Sequence, residues 1–219
     1  MASNSATNNL SLKLLIDTKK NKVLFAEASK DVVDFLFTLL QLPLATVVKL
    51  LTKEDVVGSL GNLYSSVENL NPDYIQPNLS KDLLLNPIIL PSSPSISGLL
   101  TSVAAINKPS QITPKLYKCN HGCRGGSNTV TEVYNSFCNN YSGCGGRMTI
   151  EVKYMIMDDL DIQPSMSAIS SITMLNQFNV KDVGVLKEAV FQLGINEGLK
   201  LLKASMETKT VLTSVFLAS

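Results

Sequence analysis

The stretch LSLKLLID, residues Leu10 to Asp17, decides the fold that we predict for the rest of the chain. Its apolar side chains recur at every second position from Leu10 to Ile16. A period of two predicts a β-strand with one buried face. A polar turn over Thr18 to Lys22 and a second apolar run over Val23 to Glu27 follow, so we expect a β-hairpin.

Three helices are predicted after this hairpin. Ser29 is placed as the N-cap of the first, with Asp31 in the first turn, where the helix dipole favours negative charge. This helix is apolar over most of its circumference, so we expect it deep in the core and ended by Pro43. The second helix covers Leu44 to Leu51. The third has apolar residues at steps of three and four, namely Leu60, Leu63, Val67 and Leu70.

The chain after Met148 repeats this order. Alternation returns over Thr149 to Ile156, Asp158 and Asp159 close the strand, and Leu160 to Gln163 is expected to pair back. Three further helices are predicted, with Gly194 as the C-terminal cap of the second. These helices are Met166 to Phe178, Val183 to Leu193 and Glu197 to Met206.

The fold class that these patterns predict is α+β, with two similar halves that each hold a hairpin or strand followed by about three helices. The predicted segments are a disordered tail at 1–9, an N-terminal half at 10–70, a proline-rich connection at 71–114, a Cys/Gly-rich loop at 115–148 and a C-terminal half at 149–219. The connection holds seven of the nine prolines. Short stretches recur in both halves, and we leave internal duplication and coincidence of patterning open.

Within the connection we expect few long regular elements, because each proline removes a backbone donor. We predict side chains packed onto the core over Leu83 to Leu85 and Ile88 to Leu90. One or two helical turns are predicted over Leu99 to Ile106.

All four cysteines, and the only histidine, fall in the Cys/Gly-rich loop. The four are Cys119, Cys123, Cys138 and Cys144. A structural zinc site needs four sulfur or imidazole ligands in a tetrahedron, and two ligands from each of two tight turns supply them. Glycines at 122, 143, 145 and 146 would permit the positive φ angles that such turns use. The four cysteines are therefore candidate zinc ligands.

Two other interpretations of the cysteines stay open. Both pairs are spaced more widely than the two-residue spacing that is the strong zinc signal. Reduced cysteines without metal are an equal alternative, and disulfides, which need an oxidising compartment, are a third. His121 would be an awkward substitute ligand only two residues from Cys119.

Composition and charge limit the classes of function that the chain can have. With 219 residues, 45% hydrophobic, the chain can build a sizeable core, and its net charge of +1 gives no support for nucleic-acid binding. The first residues lack the pattern of a secretory signal. The most apolar run, Phe35 to Val48, is too short to cross a bilayer. We expect a soluble cytoplasmic protein without a membrane span, with the nucleus as a second compartment.

Catalytic patterns are weak, and we lean against an enzyme. A histidine-dependent nucleophile would have only His121 as its base. Neither glycine-rich turn carries the lysine and helix of a phosphate loop. Asp158, Asp159 and Asp161 are interpreted as a solvated strand end rather than a cation site.

Segments along almost the whole chain, from about Leu10 to Leu217, resemble the plant-specific family catalogued as domain of unknown function 674. The family usually carries a tighter second cysteine pair before a glycine-rich turn and methionine. Cys144 to Met148 matches the end of that unit, while Tyr141 stands where the other cysteine would be, which implies that a metal site of the family would be weakened or rearranged in this chain. The matching stretches are Leu14–Asp17, Val23–Ala28, Asp34–Phe37, Leu42–Leu44, Asn62–Tyr64, Met157–Leu160, Leu201–Ser205, Lys209–Thr210 and Thr213–Leu217.

The resemblance implies no activity, cofactor or catalytic residue. The function that we predict is a non-catalytic interaction or regulatory protein, zinc-stabilised if the cysteines bind metal, with an unknown protein partner and an oligomeric state that we leave open. The alternative is a nucleic-acid-binding module using a zinc-ribbon-like loop, with Arg124, Arg147, Lys115 and Lys118 around the cysteines and with Tyr117 and Tyr141 for base stacking. An enzyme of unknown class is third.

Overall fold

The computed structural model describes residues 10–71, 74, 80–87, 115–121, 129–138, 144–165 and 175–217. The α+β class is confirmed by two antiparallel sheets with helices between and after their strands. The elements in chain order are β1 Leu10–Asp17, β2 Lys22–Ala28, α1 Lys30–Leu39, α2 Leu44–Leu51, α3 Leu60–Asn69, α4 Lys81–Leu85, β3 Tyr117–Cys119, β4 Met148–Glu151, β5 Tyr154–Met157, β6 Ile162–Pro164, β7 Leu186–Leu193, α5 Ile195–Glu207 and α6 Val211–Phe216.

The larger sheet has the strand order β6-β5-β2-β1-β7, and every neighbouring pair is antiparallel. It takes strands from both predicted halves. The expected opening hairpin is confirmed, with Leu14 opposite Ala26 and a β-bulge after Leu15. The predicted polar turn places Asn21 at φ 47°, a left-handed conformation that asparagine tolerates well.

Helices α1, α5 and α6 cover one face of this sheet. The alternation in β1 gives the strand one buried face, as predicted, and Leu12 and Leu14 on that face are almost fully buried. They pack in one cluster with Val32 of α1, Leu201 of α5 and Leu212 of α6. A second cluster joins α2 and α5, with α3 residues packed against it, and Leu39 at the end of α1 contacts both clusters.

In the N-terminal half, the predicted start of the first helix and both ends of the second are those of the structure. Ser29 is the N-cap residue of α1 and Asp31 lies in its first turn, although the Ser29 side chain makes no capping hydrogen bond. The second helix has the predicted bounds. Pro43 begins α2 as its N-cap residue rather than ending α1, which stops at Leu39.

Asp158 is a buried helix anchor, and our interpretation of it as a solvated strand end is wrong. Only 7% of the residue is exposed. Its carboxylate accepts hydrogen bonds from Thr213 N at 2.8 Å and Thr213 Oγ1 at 3.0 Å, and its carbonyl accepts one from Val211 N at 2.7 Å. The Thr213 hydroxyl in turn accepts a bond from Val23 N. Asp158 therefore fixes the start of α6 against β2.

The predicted helix over Val183 to Leu193 is wrong, because this segment is a short 3₁₀ turn followed by β7. Strand β7 pairs with β1 along its full length, from Leu10 opposite Leu193 to Asp17 opposite Leu186. Gly194 is consequently the N-cap residue of α5, not a C-terminal cap. Helix α5 agrees with the predicted Glu197 to Met206, extended by two residues at its start and one at its end.

The single strand predicted over Thr149 to Ile156 is divided into β4 and β5. The break lies at Val152 and Lys153, where the chain passes from the small sheet to the large one. Val152 N donates to Leu116 O at 2.7 Å, and Ser165 N donates to Lys153 O at 2.7 Å. These bonds hold the junction on both sides. The expected pairing back of Leu160 to Gln163 is confirmed as β6.

In the proline-rich connection, residues 81–85 form α4, where we expected side chains packed onto the core. That expectation is wrong for Leu83 and Leu84, which are exposed by 54% and 39%. Several predictions lie outside the described residues: the tail at 1–9, Ile88 to Leu90, Leu99 to Ile106, Cys123 and most of Met166 to Phe178.

Within the described ranges, no single helix is both long and apolar enough to cross a membrane. Helices α1 and α2 pass that test only when taken together, and they are bent by 104° at the break between them.

Replacing Leu39 with Asp should lower the free energy of unfolding by about 2–4 kcal/mol, because a carboxylate would enter the contact between both apolar clusters. The matched control is Leu40→Asp at the neighbouring residue, which is 86% exposed and should change stability by about 0.5 kcal/mol or less. Urea unfolding of both variants measures the difference. Equal unfolding free energies would show that Leu39 does not join the clusters.

Candidate metal centre

The cysteines lie in a small substructure beside the main sheet, which we call the Cys module and define as residues 115–121, 129–138 and 144–151. Its frame is the antiparallel pair β3 and β4, with Cys119 opposite Met148. Two isolated bridges, Tyr117 with Thr131 and Phe137 with Arg147, attach the segment between these strands.

Three of the four predicted ligands converge in this module. The sulfur atoms of Cys119, Cys138 and Cys144 all lie within 4.8 Å of one another. The Sγ atoms of Cys119 and Cys144 are 3.5 Å apart. That separation exceeds the S–S bond length of about 2.05 Å, so these two sulfurs are not joined to each other. It is close to the ~3.8 Å that separates two thiolates on one tetrahedral zinc with Zn–S bonds of about 2.3 Å.

The wide spacing of the second cysteine pair does not keep Cys138 out of the cluster. Cys138 N donates to Gly146 O at 3.0 Å, which draws the two segments together beside the sulfurs. The same register places Phe137 opposite Arg147. Cys123 and Tyr141 lie outside the described residues, so Cys123 stays a predicted fourth ligand.

Backbone hydrogen bonds hold the ends of β3 and β4 next to the cluster. Asn120 N donates to Arg147 O at 3.0 Å, and Arg147 N donates to the Asn120 side-chain oxygen at 3.0 Å. Gly146 N lies 3.4 Å from the Cys144 sulfur and donates to it. An N–H donor directed at a thiolate orients the ligand, as outer-shell partners do in metal sites.

Two adjacent glycines make this arrangement possible for different reasons. Gly145 has φ +61°, so the predicted need for positive φ is confirmed there. Gly146 is needed for space: a Cβ atom at this position would lie 2.5 Å from the Cys119 sulfur. The sequence pattern favours glycine at both positions, but it carries no signal that Gly146 lies against the Cys119 sulfur.

His121 is positioned to hold the loop and is not part of the cysteine cluster. Its Nδ1 atom lies 3.1 Å from the carbonyl oxygen of Cys144, and the hydrogen bond requires the tautomer that is protonated at Nδ1. His121 contributes no atom to the sulfur cluster. Its role is consistent with the expectation that sulfur, not imidazole, supplies the ligands.

The outer surface of the Cys module is aromatic. The Arg147 guanidinium stacks over the Phe137 ring at 4.2 Å, and the Tyr117 and Tyr134 rings meet edge to face at 5.2 Å. Tyr134 and Phe137 are nonetheless 62% and 67% exposed. Large apolar side chains are therefore presented to solvent within a few residues of the cysteines.

The Cys module lies near the start of α1, and its charges affect the pKa of Asp31 there. Burial raises the pKa of Asp31, and the nearby Asp34 carboxylate raises it further. Lys30 and Lys115, the latter from the Cys module, oppose that rise. Lys118 also reaches across the junction and donates to Ser165 O at 3.3 Å.

Comparison with known proteins identifies a family but no activity. A family model described as "Protein of unknown function (DUF674)" matches residues 6–154 and again residues 149–219. The two matches together span the described part of the chain and confirm the resemblance seen in the sequence. Two successive matches also accord with an organisation in two halves. No curated protein and no solved structure matches the chain.

Replacing Gly146 with Ala should lower zinc affinity at least ~10-fold, because the new methyl group would displace the Cys119 sulfur. The control is Gly145→Asn, which keeps a residue that tolerates positive φ and has no atom within 4 Å of the added Cβ. Competition with a chromogenic chelator measures both affinities. Equal affinities in the two variants would show that the contact with Cys119 does not shape the site.

Proposed function

This chain is a member of the family described as "Protein of unknown function (DUF674)", and we propose that it is a non-catalytic interaction protein whose Cys module is held together by zinc. The observation that carries the proposal is the convergence of three cysteine sulfurs within 4.8 Å. The ligands are Cys119, Cys138 and Cys144, with Cys123 as the fourth.

Zinc is the ion that best fits this donor set. Thiolates are soft ligands that favour zinc, copper(I) or iron–sulfur clusters over magnesium and calcium. A tetrahedral zinc accepts the sulfur separations of the cluster with little movement. Zinc is also not redox-active, which suits a structural site beside a strand pair.

The Cys module needs a cross-link because it has almost no core of its own. Among its described residues, only Gly146 and Met148 are buried. Apolar burial on this scale cannot offset the conformational entropy of ordering three separate segments. A metal ion that ties β3, the 129–138 segment and the residues before β4 supplies that stabilisation directly.

A structural role for the ion follows from its predicted coordination. Four sulfur ligands close the tetrahedron and leave no position for a water or a substrate. The one histidine is bound to the Cys144 carbonyl, so it does not form a base–nucleophile pair through Nδ1. These features support a non-catalytic function.

The exposed side chains of the Cys module support an interaction role. Val133, Tyr134 and Phe137 are each more than 60% exposed. Aromatic residues are enriched in protein interfaces, where they bury a large area at little cost in conformational freedom. We place the contact with a partner on this surface, which the metal holds in position.

Purified under reducing conditions, the protein should carry about one zinc per chain. Cys144→Ser should lose most of that zinc, whereas His121→Asn should keep it, because the imidazole is not a ligand. Elemental analysis measures the metal, and a thermal melt should show that both variants retain the main sheet. Metal-free wild-type protein with four titratable thiols would refute the zinc site.

The second candidate function, nucleic-acid binding, is favoured only by the stacking of Arg147 on exposed Phe137 near Tyr134. The acidic residues Glu132 and Glu151 of the same module and the net charge of +1 oppose it.

We expect single- and double-stranded nucleic acid to bind no more tightly than about 1 µM at physiological salt. Fluorescence anisotropy titration measures the affinity. Saturable submicromolar binding that disappears in a Tyr134→Ala/Phe137→Ala variant would replace the interaction proposal with this second function.

A further inference from the structure

Building on the proposed zinc site, we propose that the site is controlled by oxidation: a peroxide joins Cys119 to Cys144 in a disulfide and thereby releases the ion.

The geometry brings the two sulfurs of this pair close together. The Cys119 and Cys144 sulfurs are 3.5 Å apart, and Cys144 is half-buried, so a small oxidant can reach the Cys144 sulfur beside Cys119. The hydrogen bonds between Asn120 and Arg147 hold the two cysteine-bearing segments side by side. The two sulfurs are therefore neighbours when the oxidant reaches the zinc-loaded protein.

The chemistry balances with hydrogen peroxide as the oxidant. One thiolate sulfur attacks a peroxide oxygen, the O–O bond breaks, and a sulfenic acid and hydroxide form. The second thiolate attacks the sulfenic sulfur, the S–S bond forms, and a second hydroxide leaves. Two electrons pass from the two sulfurs to the peroxide, and two protons from solvent convert the hydroxides into two waters.

Oxidation of this pair removes two ligands at once. Zinc would keep at most Cys138 and Cys123, which is too few for a closed structural site. The disulfide still ties the end of β3 to the residues before β4. The 129–138 segment, in contrast, loses the link through the Cys138 sulfur. That segment carries Tyr134 and Phe137, so oxidation would loosen the surface on which we place the partner contact.

The test uses the full reduced, zinc-loaded chain, titrated with hydrogen peroxide. A chromogenic chelator measures released zinc, and mass spectrometry after thiol alkylation identifies the disulfide. We expect about one zinc released per Cys119–Cys144 disulfide, with rebinding after a thiol reductant is added. Cys138→Ser should still form this disulfide, whereas Cys119→Ser should not.

The outcomes separate the two proposals. A protein purified without zinc that still forms the Cys119–Cys144 disulfide would refute the zinc site but support the oxidised pair. Zinc retained under peroxide, a disulfide that involves Cys138 in the wild-type protein, or sulfinic acid without a disulfide would each overturn the inference, whatever the metal content.

Discussion

The structure depends on the pairing of strand β1 along both of its edges. One edge pairs with β2 and the other with β7, so residues near the start of the described chain are bound to residues near its end. This pairing places Leu12 and Leu14 under helices from both halves. Antiparallel pairing with one covered face gives the sheet a register that a one-residue slip would destroy, because every apolar side chain would change face. The sheet therefore forms a core that does not require the cysteines.

The Cys module has the opposite character. It is attached to the sheet through the junction at Val152 and Lys153, and its own buried residues are few. Its order rests on backbone hydrogen bonds around a cluster of sulfur atoms and, in our proposal, on a metal ion. In our proposal, a stable sheet thus supports a small substructure whose order depends on the metal, which is the arrangement expected of a regulated contact surface.

The structure could be predicted from the sequence where the signal is local. Alternation in β1 and the apolar stretch of α2 each decide their own structure, and four clustered cysteines identify the candidate ligands. The sequence was insufficient where a distant partner decides. Ala189 and Leu193 fit both a helical and a strand period, and only pairing with β1 selects the strand. Asp158 looks like an ordinary strand end until Thr213, 55 residues later, donates to it. The need for glycine at 146 depends on a sulfur that lies across the strand pair.

We propose that the main sheet is stable by itself, whereas the Cys module is ordered by the metal. Hydrogen–deuterium exchange with and without a strong chelator distinguishes the two parts. We expect chelation to accelerate exchange in residues 117–121, 129–138 and 144–151 and to leave β1 and β7 as protected as before. Unchanged exchange in the Cys module after the metal is removed, or loss of protection throughout the sheet, would contradict the account.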